Sequence, residues 1–312
     1  ASVAALGLIL IPGMARAGYD KAFAAATVSV TSGLAIVIPP SIAFIVYGSV
    51  ADVSVPALFA AGFVPGIVVA LFIMAAVLII SRKRGYRGQP SGKSVGTALK
   101  EAFWGVMTPV VILGGIYGGI FTPTEAAGVA CAYGLIVGLF IYRELKLREL
   151  KTVILGSASS TGMVLFIMAC AAVFGYVMAR YQITNVIAEF IISLCPNKYV
   201  FLLMVNILLL IVGCFMETTA AILILAPIFA PILTVFGIQP VHFGVVMCIN
   251  LAIGCATPPL GLNLFVAAGL TKDKVEVVVN RHTVGYILLS IAILFLITYV
   301  PDLVMLLPNS ML

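Results

Sequence analysis

The sequence predicts an all-α polytopic membrane protein made of two inverted repeats, each with a re-entrant helical hairpin and a broken helix. Three observations carry that prediction. Hydrophobic residues make up 63% of the 312 positions and charged residues 9%, with a mean hydropathy of +1.24; a soluble domain carries about 25% charged residues. Two Pro-Pro pairs, at 39–40 and 258–259, interrupt segments that are otherwise apolar enough to cross a bilayer. The basic residues gather in a few short loops, and their placement gives the two interrupted segments opposite directions.

The chain opens with an apolar arm, "ASVAALGLILIP" (1–12), that reads as the second arm of a hairpin with Ser2 in its tip. With no initiator Met, signal peptide or first arm before it, the sequence reads as a fragment lacking an N-terminal part. A turn at 13–21 leads into the broken helix 22–48, where "VIPPSIAFIVYG" sets the break. Proline has no N–H and clashes with the preceding turn, at a cost of about 3 kcal/mol inside a helix. Spans follow at 59–80, 102–121, 126–142 and 153–179, each long enough or nearly so for about 30 Å of hydrocarbon at about 1.5 Å per residue. "GGIYGG" holds two overlapping GxxxG pairs, Gly114–Gly118 and Gly115–Gly119, suited to close helix packing. "RELKLRELK" (143–151) has the alternation of an amphipathic helix on the cytoplasmic surface. After a loop at 180–199, the runs 198–216 and 220–236 flank "METT" (216–219) and read as a complete hairpin. The second broken helix is 241–269, and a run at 284–307 closes the chain. The resulting division is 1–55 (hairpin arm and broken helix), 56–97 (connecting span and cytoplasmic loop), 98–181 (helices of the second repeat and the amphipathic arm), 182–270 (second hairpin and broken helix) and 271–312 (cytoplasmic connector and last span).

The net charge of +6 is a topological signal and does not point to nucleic acid. With loops 13–21, 81–100, 142–151 and 271–282 in the cytoplasm, all of the 17 Lys and Arg except Arg180 and Lys198 lie inside. Loops 49–55, 121–125, 180–199 and 301–312 are then external. The six cysteines show no CxxC or His-linked spacing, so they are expected as small packing residues and no transition-metal site is expected. No nucleophile elbow and no phosphate loop is present, and nothing argues for an enzyme or an enzymatic cofactor.

Sliding the chain by 219 positions aligns Gly18 with Gly237, Pro39 with Pro258 and Pro40 with Pro259; upstream, "AALGLILIP" (4–12) matches "TAAILILAP" (219–227). Because 22–48 runs outward and 241–269 inward, the repeats are inverted. Paired interrupted spans in inverted repeats point to a secondary transporter with its site at the breaks, where freed carbonyls face cations and half-helix N-termini face anions. Thr31, Ser32 and Ser41 around the first break, and Asn250, Thr257 and Asn263 around the second, are polar for their depth. Glu217 at the hairpin tip is a functional candidate as an intramembrane carboxylate, or a cap for the second hairpin helix, or both.

Four segments, "IPGMARAGYDKAFAAA" (11–26), "IPPSIAFIVYG" (38–48), "GGIYGGIFTPTEAAGVA" (114–130) and the stretch from 221 to 269, together closely resemble the large membrane (M) subunit of tripartite ATP-independent periplasmic (TRAP) transporters, over essentially the whole chain. The resemblance implies an elevator-type fold of the ion-transporter superfamily in the bacterial cytoplasmic (inner) membrane. It implies sodium-coupled uptake of an organic anion such as a C4-dicarboxylate, sialic acid or another sugar acid. The implied partners are a small membrane subunit, separate or fused, and a periplasmic substrate-binding protein. Carried to matching positions, it implies one sodium site at Ser2, Thr31, Ser32, Gly33 and backbone near Pro39, a second at Thr218, Thr219, Gly254, Thr257 and backbone near Pro258, and substrate contacts at Ser41 and Asn263. Two other classes stand beside this reading. One is a proton-coupled or exchange transporter with Glu217 as proton carrier. The other is a channel or membrane-embedded enzyme, for which neither a filter-like carbonyl motif nor an acid–base constellation is present.

Overall fold

The computed structural model describes residues 2–86 and 94–311, so part of the basic loop 81–94, including Arg87 and Lys93, lies outside the described residues. These residues form helices joined by short turns, with no strand among them. Among the described residues, seven helices are long and apolar enough to cross a membrane, or eight if the bent pair Lys21–Val37 and Ile42–Ala51 counts as one span. The chain divides into two compact units, Ala1–Gln89 with Phe174–Leu312, and Pro90–Val173.

In the first unit, α1 (Ser2–Arg16) precedes the first broken helix, which consists of α2 (Lys21–Thr31), α3 (Leu34–Val37) and α4 (Ile42–Ala51). Asp20 caps α2 by accepting the Ala22 N–H at 3.1 Å. The 29-residue α5 (Val55–Lys83) follows. The second unit holds α6 (Val95–Tyr117), α7 (Pro123–Ile136) and the beginning of α8 (Leu147–Arg180). A π-helical turn, Val137–Ile141, extends α7. Thr122 and Glu125 start α7 with a reciprocal capping box, and the Tyr133 and Tyr142 hydroxyls donate to the Trp104 and Glu101 carbonyls of α6, both at 2.8 Å. Of the glycines in "GGIYGG", Gly115 packs against Phe121, whereas Gly114 faces open space. The basic segment 143–151 does not form a separate surface helix. Residues 143–146 are non-helical, Arg143 with φ 55°, and the rest joins the first turns of α8.

The remainder of the first unit contains α9 (Ile183–Leu194), α10 (Lys198–Phe215), α11 (Thr218–Val235), α12 (Pro240–Gly254), α13 (Leu262–Thr271), α14 (Val275–Val278), α15 (Arg281–Tyr299) and α16 (Pro301–Met311). Two of these differ from the sequence expectation. The external loop 180–199 contains α9, whose less exposed residues Thr184, Ile187, Ala188, Ile191 and Ile192 recur at helical spacing and turn toward α11. The run 284–307 is not one span: α15 stops at Tyr299, and α16 begins at Pro301 and packs on α5. Pro301 withholds the N–H that Ile297 O would receive, so the helix cannot continue unbroken.

The two broken helices lie side by side and antiparallel. Asn263 Nδ2 donates to Ser29 O at 3.2 Å, Gly33 abuts the Ala252 carbonyl, and Gly244 abuts the Tyr47 ring. Partner numbers fall as residue numbers rise, as inverted direction requires. The hairpin arms cross over: α11 packs on α4 of the first repeat, and α1, besides packing on α2, packs on α13 of the second. Val3 and Ile11 of α1, Val28 of α2, and Leu264 and Ala267 of α13 share one core there.

The loops collect at two ends as their charges require. At one, Arg84 pairs with Asp20 at 3.4 Å and donates to the Tyr86 hydroxyl at 3.1 Å, while Asn280 Nδ2 donates to Ala22 O at 3.0 Å. These residues come from the loops assigned to the cytoplasm. At the other end, Tyr47 donates to Pro240 O at 2.9 Å, and Lys198, Gly237 and Asp302 line one cavity. Lys198 opens α10 and Gly237 follows α11, so both outer ends of the hairpin return to the same end, the one expected to be external.

Candidate functional site

Both Pro-Pro pairs leave carbonyls without their helical donors. Pro40 supplies no N–H to Ile36 O, and the Ser41 hydroxyl donates to that carbonyl instead. Pro259 leaves Cys255 O in the same position, and the Asn263 N–H fills it at 2.8 Å. Both Pro-Pro bonds are cis. Past each break a new helix starts without a side-chain cap, α4 at Ser41 and α13 at Gly261, the latter with φ 48°, where a Cβ would also crowd Thr257 O.

The hairpin tip is built by Glu217. Its carboxylate accepts the Thr219 and Ala220 N–H groups at 2.8 and 3.2 Å and the Thr219 hydroxyl at 3.0 Å. This is an N-cap on α11, stabilised by the positive end of the helix. Thr218, buried beside it, places Oγ1 3.4 Å from Cys255 Sγ at the second break.

A cavity of about 300 Å³ lies between this tip and the two broken helices. It gathers Ser2, Ser32, Ser41, Glu217, Thr218, Thr219 and Asn263 from positions scattered over the chain, together with the first-turn residues Ile42 and Ala43 of α4. The remaining predicted residues lie around it. Thr31 and Thr257 donate their hydroxyl protons back to Thr27 O and Ile253 O at 2.7 and 2.8 Å. Ser32 does the same to Val28 O at 2.6 Å. With the protons so committed, the lone pairs of these oxygens remain available, and such neutral oxygens suit a hard cation. Gly33 packs on the α12 backbone, and Gly254 meets Gly213 of α10. Pro39 stands within the first break, and Pro258 lines a separate open cavity with Asp273 and Glu276.

A match to the family model described as "Tripartite ATP-independent periplasmic transporter, DctM component" extends over residues 1–303. The chain belongs to the DctM family of TRAP transporters. Among curated relatives, it is 45% identical over 304 residues to the isethionate TRAP transporter permease protein DctMQ of Oleidesulfovibrio alaskensis, covering 96% of this chain and 48% of that protein. It is 43% identical over 311 residues to the C4-dicarboxylate TRAP transporter large permease protein DctM of Pseudomonas aeruginosa, covering 99% and 73%. It is 35% identical over 311 residues to the sialic acid TRAP transporter large permease protein SiaM of Vibrio cholerae, again covering 99% and 73%. The chain thus spans about half the length of the first and about three quarters of the other two. As a DctM-family chain it is a transport protein rather than an enzyme.

Sequence reasoning missed three features of this DctM-family site. Cys255 joins the cavity wall and touches Thr218. Gly213 lets α10 approach α12. Asn206 joins Asn250 to Thr298: Asn250 Nδ2 donates to Asn206 Oδ1 at 2.8 Å, and Asn206 Nδ2 donates to Thr298 Oγ1 at 3.1 Å, with all three residues buried. The signal for the last was an asparagine within each of two apolar runs, Asn206 in 198–216 and Asn250 in 241–269.

Proposed function

We propose that this protein is the large membrane subunit of a secondary transporter that takes up a small organic anion, coupled to sodium, across the bacterial inner membrane. The observation that carries the reading is the cavity between the hairpin tip and the two breaks, with its hydroxyls, amide and uncapped helix start. An anionic group would sit at the first-turn N–H groups of α4, with Ser41 and Asn263 as side-chain contacts. Glu217 would act on the substrate side by holding the tip in place, since its carboxylate serves α11. Sodium ions would bind the neutral oxygens around it: Ser2, Thr31, Ser32, Gly33 and backbone near Pro39 on the first repeat; Thr218, Thr219, Gly254, Thr257 and backbone near Pro258 on the second. A cation beside the tip offsets the repulsion between Glu217 and an anionic substrate, which gives a physical reason for coupling. The relatives named for isethionate, C4-dicarboxylates and sialic acid all concern organic anions, and this chain's substrate would fall in that class. A periplasmic binding protein would deliver it, a small membrane subunit would complete the complex, and the hairpins and broken helices would move together as an elevator.

Uptake of a labelled C4-dicarboxylate into proteoliposomes holding the complete transporter, with its binding protein outside, tests the coupling. Accumulation is expected under an inward sodium gradient and not under a proton gradient alone. Equal accumulation under a proton gradient without sodium would replace this reading with the one in which Glu217 carries a proton.

A further inference from the structure

We propose that the external end of the first unit contains a binding site for a zwitterionic phosphoethanolamine group, separate from the transport cavity. The site is a cavity of about 220 Å³ where the start of α10, the loop before α12 and the junction of α15 with α16 meet. It is far larger than the roughly 30 Å³ that one water occupies in the liquid.

The key residue is His242, which lines this cavity yet is only 2% exposed. Its Nε2 lies 3.1 Å from Ile297 O. A carbonyl only accepts, so Nε2 carries the proton. Ile297 O is open to it because the residue four positions on is Pro301, which has no N–H. The tautomer is therefore set by the chain, and Nδ1 is left as a lone-pair acceptor. No described residue hydrogen-bonds Nδ1, and it is not among the side-chain atoms sealed from the surface. Facing the cavity, Nδ1 can accept from an N–H or O–H donor placed there.

The surrounding charges say which donor. Asp302 and Lys198 line the same cavity and form no ion pair with each other or with any described residue. The Tyr199 and Tyr299 rings, 6.1 Å apart, form an aromatic wall, with the Lys198 ammonium 5.3 Å from the Tyr199 ring centroid. With Lys198 over the Tyr199 ring, the Asp302 carboxylate, the Tyr299 ring and the Nδ1 lone pair are left to suit a primary ammonium. On the anionic side, α12 begins at Pro240 without a side-chain cap, and its first-turn N–H groups with Lys198 suit a phosphate. A quaternary ammonium has no N–H for Nδ1, and a phosphoglycerol has no cation for Asp302. A metal ion is a poorer fit, since no three His, Cys, Asp or Glu converge among the described residues. The group can come from a phosphatidylethanolamine in the outer leaflet or from a free zwitterion.

Native mass spectrometry of the detergent-purified protein, titrated with short-chain phosphatidylethanolamine, phosphatidylcholine and phosphatidylglycerol, tests this. Phosphatidylethanolamine is expected to bind in preference to the other two. The exposed variants Lys198→Gln and Asp302→Asn should each weaken it about tenfold, the loss of one charge-assisted contact. His242→Phe introduces the residue that the first repeat carries at the matching position, Phe23, and should abolish the preference over phosphatidylcholine. Free phosphoethanolamine forms a further arm: binding of it without the lipid assigns a soluble ligand, and binding of the lipid without it assigns the membrane. Phosphatidylcholine binding as tightly as phosphatidylethanolamine would overturn the proposal, as would Lys198→Gln and Asp302→Asn proteins that bind like the parent, or the absence of saturable binding by either form of the head group.

Discussion

Gly254→Ala tests whether the hairpin is held against the second broken helix by a glycine contact. A methyl at Gly254 would stand 2.6 Å from Gly213 Cα, 2.7 Å from its carbonyl carbon and 3.2 Å from Cys214 N. Carbon atoms in contact prefer about 3.5–4.0 Å, so α10 must retreat by about 1 Å. The obstruction is backbone, which cannot swing aside as a side chain can. Overpacking of this kind costs about 1–3 kcal/mol. Alanine's better helix propensity, worth up to about 1 kcal/mol in a helix interior, offsets little, because Gly254 is the last residue of α12. Moving α10 also moves the tip, and with it Thr218 away from Cys255. We expect Gly254→Ala to melt below the parent and to lose most uptake. Gly213→Ala, whose nearest obstacle is 3.0 Å away, should be milder, and Gly269→Ala, with nothing within 4 Å, should match the parent. Thermal unfolding of the solubilised proteins, read by size-exclusion chromatography, ranks the three. A Gly254→Ala protein that melts with the parent and transports normally would refute the reasoning.

Thr257→Ala and Thr219→Ala should each raise the sodium concentration for half-maximal uptake several-fold, while Ile38→Val, at the hydroxyl-free counterpart of Thr257, leaves it unchanged; superimposed sodium curves for all three would remove the two hydroxyls from the sodium sites. Asn250→Leu leaves Asn206 Oδ1 without its donor and should cost about 1–2 kcal/mol, whereas adding Asn206→Leu should cost less than the sum of the single changes, a non-additivity measurable by unfolding in detergent mixtures. An impermeant thiol reagent applied to intact cells should label Asn309→Cys and spare Lys146→Cys, the reverse result overturning the topology. Uptake at low substrate should require the soluble binding protein, and vesicles holding only the membrane subunits should show little.

The breaks were legible because proline acts locally: Pro39–Pro40 and Pro258–Pro259 remove helix donors wherever they stand, and the helices duly end at Val37 and Gly254. The hairpin tip was legible because "METT" is the only polar interruption between two apolar runs, and Glu217 caps the helix it precedes. Loop charge sorted the ends because burial of unpaired Lys and Arg is costly wherever the loop goes. What depends on approach between distant segments was not legible. Gly213 and Gly254 are ordinary glycines until α10 meets α12, and Cys255 reads as a packing residue until Thr218 arrives beside it. Within the apolar run 284–307, Pro301 carried the same information as the other prolines. Its consequence, an unsatisfied Ile297 O met by His242, needed a partner 55 positions away.

The crossing of the hairpin arms has a consequence for biosynthesis. The α1 arm finds part of its packing surface on α13, and α4 finds much of its own on α11. Neither half of the bundle is therefore complete by itself. As the ribosome delivers the chain, the first half must wait in the bilayer with these surfaces uncovered until α11 and α13, which begin at Thr218 and Leu262, have been made. A stall or cleavage in the 86–94 region would leave an insertion intermediate that quality-control proteases can attack. Co-expression of the two halves as separate polypeptides should rescue each from degradation by the other.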